Sequence, residues 1–337
     1  MKADFAFHDG TLLLYPTRKD VWRKGAIPIA ETVVGLARLL SRYEPTVLGV
    51  LPELDKNRIQ ALCPDVRVEP MLYDDIWARD SGAVPTECGF VKFGFNAWGG
   101  EDGLYDSWEL DSTLPEQMSR LLGVELSLSP LTLEGGNLLT DGNGTLICIK
   151  DTIANPNRNP GIPLEEVERL LKNALGVTRI IWIDEGLKHD ETGGHIDNLC
   201  AFASEDTLLI AWTDDEESPQ YPIVRRALAT IEAAPGKKYK IIKLPLPKQF
   251  IRTEDDCEGL EYPVGSKPRL PGEIIQPSYV NFIFASGAVI VPTFDDPMDG
   301  DAIDVFRRAF AEREVIPFPA REIVLGGGGL HCITKNY

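Results

Sequence analysis

Gly326-Gly-Gly-Gly-Leu-His331-Cys332 places a cysteine just after a run of four glycines. Such a run is costly in backbone entropy and contributes no packing. Close approach of backbone to a ligand would justify it, with free N–H groups favouring the thiolate of Cys332. The flanking Ile323-Val-Leu and Ile333-Thr read as ordered chain rather than a flexible tail, although a buried inert thiol has the same local signature. Glycine also frames Thr192-Gly-Gly-His195-Ile-Asp197 and Leu133-Glu134-Gly-Gly-Asn. On a strand, positions 195 and 197 share one face, which would aim an imidazole and a carboxylate into one space. That pairing suits acid–base chemistry, and it equally describes a structural His–Asp pair. Trp77-Ala-Arg79-Asp80 adds a carboxylate at a turn; taken alone, its Arg-Asp step reads as a surface ion pair.

Together these residues are sharper than any one of them: a cysteine, a histidine and three carboxylates, with no serine-nucleophile motif or phosphate loop. Carboxylates raise the pKa of a neighbouring thiol, so the set is unsuited to attack on a peptide carbonyl. It suits a cation. A planar guanidinium has five N–H donors that match paired carboxylates, and its charge would offset theirs and favour the thiolate. Acidic residues outnumber basic ones 52 to 34, and the net charge of −18 repels nucleic acid and anionic membranes while drawing in small cations. Solubility alone would also account for that acidity. The four histidines (8, 189, 195 and 331) have no metal-finger spacing, so no metal and no cofactor are expected; His195-x-Asp197 is at most one ligand pair. The six cysteines (63, 88, 148, 200, 257 and 332) include no CxxC and are expected to be reduced. No apolar stretch approaches the roughly 20 residues of a membrane span, and the first residues lack a secretory signal, so a cytoplasmic location is expected.

The elements that must position this chemistry read as α/β. Strand candidates are Thr46–Leu51, Gly89–Phe95, Thr145–Ile149, Arg179–Ile183, Leu208–Trp212, Lys240–Leu244, Ala288–Val291 and Glu322–Leu325. Helical periodicity marks Ala30–Tyr43, Ser112–Leu122, Pro163–Leu175, Pro222–Ala233 and Asp301–Arg313. No linker divides the chain, so residues 1–337 read as one domain, with the proline-rich patches at 154–163 and 263–277 as ordered excursions. A hairpin plan recurs in which a polar residue opens one strand and an apolar strand returns. Its openers are Asp80, Glu134, His195 and Asn281, and a fifth copy joins His331-Cys332 to the returning strand Thr11-Leu-Leu-Leu. Near-regular spacing of this kind marks a radial repeat, and in a closed ring the five openers would converge on one central site.

Six segments, in order, strongly resemble the agmatine deiminases, a family of guanidino-group-modifying enzymes. They are His8-Asp-Gly-Thr, Trp77-Ala-Arg-Asp-Ser-Gly, Phe95-Asn-Ala-Trp-Gly-Gly, Leu133-Glu-Gly-Gly-Asn, Gly194-His-Ile-Asp-Asn and Gly327-Gly-Gly-Leu-His-Cys-Ile-Thr. The resemblance implies the pentein fold, a five-bladed αβ propeller of pseudo-fivefold ββαβ repeats, commonly dimeric. It implies that Cys332 attacks the guanidinium carbon, that Asp80 and Asp197 hold its nitrogens, and that His195 is acid and then base. Glu134 would orient His195 and contact substrate, while Trp77, Trp98, Glu191 and Gly329 would line the slot. The implied substrate is agmatine, and the products are N-carbamoylputrescine and ammonia. The chain departs from the family's usual pattern at Tyr15, Glu191, Gly193 and Lys335-Asn336, positions that bear on substrate choice more than on chemistry. Another guanidine, such as free or peptidyl arginine, is the alternative substrate, and arginine would need a donor at the pocket mouth. An amidinotransferase shares the same nucleophile logic. A non-catalytic pentein binding protein would lack the Cys/His/carboxylate set.

Overall fold

The structure, a computed structural model, describes residues 1–100 and 103–337. Its chain repeats one plan: an antiparallel hairpin, a crossover helix, and a third strand parallel to the second. The first unit is Val84–Thr86 and Gly89–Gly94, helix Leu114–Leu122, and strand Leu126–Thr132. The second is Leu139–Thr140 and Thr145–Ile149, helix Leu164–Leu175, and strand Arg179–Ile183. Cys200–Ser204, Thr207–Trp212, helix Tyr221–Ala233 and Lys240–Pro245 form the third. Ile283–Ala285, Ala288–Thr293, helix Asp299–Ala309 and Glu314–Pro319 form the fourth. The fifth joins distant segments: Lys335–Asn336 pairs antiparallel with Thr11–Leu14, in the register Thr11↔Asn336 and Leu12↔Lys335. Helix Ile27–Leu40 then leads to Thr46–Val50, and helix Lys56–Leu62 adds a fourth strand, Arg67–Pro70.

Each central strand lies between a helix on one face and neighbouring units on the other, which is why it reads as a continuous apolar run. Thr145–Ile149 and Thr46–Val50 are buried at every position. The crossover helices are amphipathic. Leu164–Leu175 buries Val167, Leu171 and Leu175, spaced by four, and leaves Glu165 exposed and Glu166, Glu168 and Lys172 half-buried. It stops at Gly176, whose φ of 67° is left-handed and whose N–H returns to the Lys172 carbonyl. Burying each of the three apolar side chains contributes about 1.5–3 kcal/mol, and Leu171→Ala would cost about 2–5 kcal/mol by opening a cavity under the helix.

Three expectations need correction. Glu322–Leu325 is not a strand: Arg321–Val324 is a single helical turn that buries Ile323 and Val324. The strand of that region is Glu314–Pro319, hidden in the sequence by Pro317 and Pro319. Its partners Val291 and Thr293 lie on one side only, and an edge strand tolerates residues without an N–H. Second, the polar openers do not lie on strands but in tight turns just before them: Asp80 within a helical turn, Glu134 and His195 at the heads of 3-10 turns, and Asn281 and Cys332 in non-helical turns. Third, helix Asp301–Arg313 ends early, at Ala309, because Glu314 already pairs with Ala288. The excursion over 263–277 is ordered: Ile274–Ile275 pairs with Phe250–Ile251, and Lys267 N–H bonds the Leu104 carbonyl.

Candidate active site

Every hairpin begins with one tight turn, closed by an N–H three residues along: Asp80 to Trp77, Asn137 to Glu134, Asn198 to His195, Asn281 to Ser278, and Thr334 to His331. The turns Ala78–Ser81, Gly135–Asn137 and Ile196–Asn198 pack on one another in succession. The five openers are therefore not equivalent within their turns. Glu134 and His195 stand first, Asp80 and Asn281 stand fourth, and Cys332 follows the first residue of its turn. His195 and Asp197 thus share a space through a 3-10 turn, not through a strand's pleat as expected. How tightly the centre is built is seen at Gly136, where a Cβ would lie 2.7 Å from Asp80 Oδ1, 2.8 Å from His195 Nδ1 and 3.0 Å from Asp197 Oδ2.

All five expected reacting residues are buried there. His195 Nε2 lies 3.4 Å from Glu134 Oε2, and its Nδ1 lies 3.7 Å from Asp80 Oδ1. Burial alone would lower the imidazole pKa, but Asp80 and Glu134 outweigh it and raise the value to about 9. Burial would raise Glu134, yet the Arg158 guanidinium and His195 hold it below the usual carboxylate range. Arg158 donates Nε–H to Glu134 Oε1 at 2.8 Å and a terminal N–H to the Thr192 carbonyl at 2.6 Å. Asp80 is pushed up by burial, with His195 opposing. Its oxygens accept from Gly136 N–H and from Trp98 Nε1, each at 2.9 Å.

Cys332 Sγ lies 3.7 Å from Asp197 Oδ2 and 3.2 Å from Asn281 Nδ2. Burial, then the charges of Asp197 and Asp80, push its thiol well above the ordinary range, against hydrogen bonds from the Gly329 backbone and Asn281. Burial and the neighbouring carboxylates thus favour the neutral form of the thiol, while Asp80 and Glu134 favour the protonated form of His195. Among the described residues, two buried polar atoms here accept or donate no hydrogen bond, His195 Nδ1 and Asp197 Oδ1.

The four glycines are each fixed by a different neighbour. A Cβ would strike the Trp22 ring at Gly326 (2.1 Å), Trp77 at Gly328 (2.5 Å) and Asn281 Oδ1 at Gly329 (2.3 Å). Gly327 has φ 104°, and a Cβ there would sit 2.6 Å from Glu191 Oε2. The run presses backbone against the walls of a narrow pocket lined by Trp77, Asp80, Trp98, Tyr105, Glu191 and Cys332. Trp98 and its neighbour Ala97 adopt left-handed φ values of 62° and 53°, a strained pair for residues other than glycine. Edge-to-face packing of Trp98 on Phe95, Tyr105 and Trp77, with its bond to Asp80, holds that conformation. In the wall of the same pocket, Glu191 accepts from buried Arg269 at 2.9 Å.

Every expected site residue thus lies at this centre or along its pocket. Sequence reasoning gave no chemical role to Asn281, Arg158, Arg269 or His331. Asn281 had a visible signal as the opener of its hairpin, and His331 adjoins the cysteine; the two arginines reach in from loops that carry no local pattern. Among the described residues, no group of three or more His, Cys, Asp or Glu is set to hold a metal ion, and no helix is long and apolar enough to cross a membrane.

The similarity to known proteins covers the whole chain. A protein of Pseudomonas fluorescens named agmatine deiminase is 38% identical over 349 residues, covering all of this chain and 94% of that one. Its namesake in Pseudomonas syringae pv. tomato is 39% identical over 352 residues, with the same coverage. Among solved structures, an agmatine deiminase of Enterococcus faecalis superposes with a TM-score of 0.94 at 28% identity, over all of this chain and 94% of that one. A dimethylarginine dimethylaminohydrolase of Pseudomonas aeruginosa, at 12% identity and a TM-score of 0.55 over 98% of this chain and all of that one, shares the fold alone. The fold is the pentein fold. The family model described as Porphyromonas-type peptidyl-arginine deiminase matches residues 1–337, and the chain belongs to that family.

Proposed function

We propose that this protein hydrolyses agmatine to N-carbamoylputrescine and ammonia, with Cys332 as nucleophile. The observation that carries the reading is a buried histidine and two carboxylates around one point, with the Cys332 thiol 3.7 Å from one of those carboxylates and with Asp197 Oδ1 and His195 Nδ1 lacking a hydrogen-bond partner among the described residues. A guanidinium supplies N–H donors for Asp80 and Asp197, and its charge lowers the thiol's pKa on arrival. The thiol gives up its proton to solvent, the thiolate Sγ bonds to the guanidinium carbon, and His195 gives its own proton to the departing nitrogen, whose C–N bond breaks as it leaves as ammonia. The covalent thiouronium intermediate is attacked by water, His195 takes the proton, and the C–S bond breaks to release the ureido product and Cys332. Glu134, fixed by Arg158, orients and charges His195. All five units contribute to this centre, so residues 1–337 act as one catalytic domain.

Glu191 favours agmatine over arginine, because an α-carboxylate at the mouth would meet a carboxylate, whereas an amine would be attracted. Arg269, the donor that arginine would need, already donates to Glu191 and to the Gly326 carbonyl. The net charge of −18 supports a small cationic substrate and no nucleic acid partner; a cytoplasmic homodimer completes the reading. The test measures ammonia and ureido product from agmatine, arginine and a blocked arginyl peptide, with Cys332→Ala in parallel. Preference for agmatine, lost in the variant, is expected. No release from any of the three by folded protein would sink the assignment.

A further inference from the structure

Behind the reacting centre, on the side away from the pocket, His331 is clamped between two carboxylates. Its Nδ1 lies 2.8 Å from Asp197 Oδ2, and its Nε2 lies 3.3 Å from Asp4 Oδ2. Carboxylate oxygens only accept, so both ring nitrogens must donate, and the ring is an imidazolium. Asp4 is held in turn by Arg79, whose NH1 donates to Asp4 Oδ1 at 3.0 Å and whose Nε donates to the His331 carbonyl at 3.3 Å. The His331 N–H bonds Asn281 Oδ1 at 2.9 Å, the same Asn281 whose amide nitrogen faces Sγ. A small cavity of about 20 Å³, lined by Asp4, Thr140, Asp197, Cys200, Phe282 and His331, lies beside the clamp.

The scheme proposed above leaves this ring unused, although the Asp197 oxygen it grips is the one 3.7 Å from the thiol. We propose that His331 is a positioning residue: its imidazolium fixes Asp197 from behind, leaves Oδ1 free for the substrate, and supplies the counter-charge that lets a thiolate form beside Asp197. Without that ring, Asp197 would be an unpaired buried anion, able to turn away or take up a proton, and the neighbouring thiol would be harder to ionise. The charged groups facing His331 are Asp197 from the 196–198 turn, Asp4 from the N-terminal segment, and Arg79 from the 78–81 turn. The two carboxylates favour the imidazolium, and Arg79 and burial oppose it.

The inference rests on the deiminase reading for its kinetic test but has a second readout that needs no substrate. The variants are His331→Ala, His331→Asn and Asp4→Asn. Asn keeps a donor near the Nδ1 position but carries no charge. The readouts are kcat and KM for agmatine, and the pH dependence of Cys332 alkylation by iodoacetamide, followed by mass spectrometry at that residue. His331→Ala is expected to lower kcat by about a hundredfold with little change in KM. His331→Asn should recover kcat to within about tenfold of the parent, yet move the alkylation midpoint upward by about one pH unit. Asp4→Asn, at the partly exposed rim, should move the midpoint in the same direction by less, and it serves if His331→Ala fails to fold. Unchanged kcat and an unmoved midpoint in the folded variants would overturn the proposal, as would His331→Asn being as impaired as His331→Ala with an unmoved midpoint. If the parent itself releases no ammonia from agmatine, the deiminase reading fails, and the alkylation midpoints still decide the role of His331.

Discussion

Arg158 and Glu134 form a fully buried ion pair, Nε to Oε1 at 2.8 Å, and the free oxygen of that glutamate is the one facing His195. The arginine therefore sets both the position and the charge of the group that keeps His195 protonated. Removing either partner leaves the other as an uncompensated buried charge, which typically costs about 3–5 kcal/mol.

Glu134→Gln should lower kcat by about 10²–10⁴-fold, the usual worth of a positioned acid–base group. Its pH profile is the sharper test. Asp80 and Glu134 raise His195 to about 9 against burial, so losing one carboxylate lowers that value and the imidazolium deprotonates at lower pH. The alkaline limb of the kcat profile should move down. A limb that stays in place would show that His195 is not the acid.

Asn281→Ala removes the amide donor 3.2 Å from Sγ. The Cys332 thiol should then ionise at higher pH, and kcat/KM should fall by about tenfold or more, an amount set by the loss of one hydrogen bond to a charged atom. Asn281→Asp should be worse than Asn281→Ala, because it adds a like charge beside the thiolate. Alkylation rates against pH, together with steady-state kinetics, check the order.

Glu191→Gln keeps the shape of the pocket wall while removing its charge. KM for agmatine should rise by about tenfold with kcat changed far less, the mark of an interaction made equally in the ground and transition states. The same change leaves Arg269 without its anion, so turnover of arginine, however low, should rise relative to that of agmatine. A fall in kcat with KM unchanged would place Glu191 in the chemistry instead.

Lys335 is buried, with its ammonium 3.2 Å from the Arg79 carbonyl. Burial, and then Arg79, lower its pKa from 10.5 to about 7. Between those values the unfolded chain binds the proton more tightly than the folded one, so this residue's contribution to stability improves as pH rises through the window. Below about 7 the folded protein bears the full cost of a buried ammonium. Lys335→Gln, which can still donate to the carbonyl, should stabilise the protein by about 1–3 kcal/mol at neutral pH. That gain should shrink as pH rises toward 10.5. Thermal melts of both proteins across that range test the sign.

What the sequence disclosed followed physical cause. Thr145–Ile149 reads as a strand because it is buried on both faces, and the openers at 80, 134, 195 and 281 were legible because each begins a hairpin whose returning strand is apolar, while Cys332 was matched to the apolar Thr11–Leu14 at the other end of the chain. The cysteine was legible from the four glycines, whose missing side chains make room for Trp22, Trp77, Glu191 and Asn281. Glu322–Leu325 misled because four mainly apolar residues are too few to separate a strand from a helical turn. Pro317 and Pro319 hid a strand whose edge position tolerates them. Arg158 and Arg269 were illegible because their placement depends on how loops distant in sequence wrap around the centre, which no local pattern records.

The pairing of Lys335–Asn336 with Thr11–Leu14 has a kinetic consequence. It is among the most non-local contacts in the molecule, and such contacts form late because loop closure must come before they give any return. The nucleophile lies three residues before that pairing, on the turn whose alignment depends on it. Recovery of catalysis during refolding should therefore lag behind recovery of helix signal and coincide with formation of that pairing between the chain's two ends, so that turnover itself becomes a clock for the final topological step of folding.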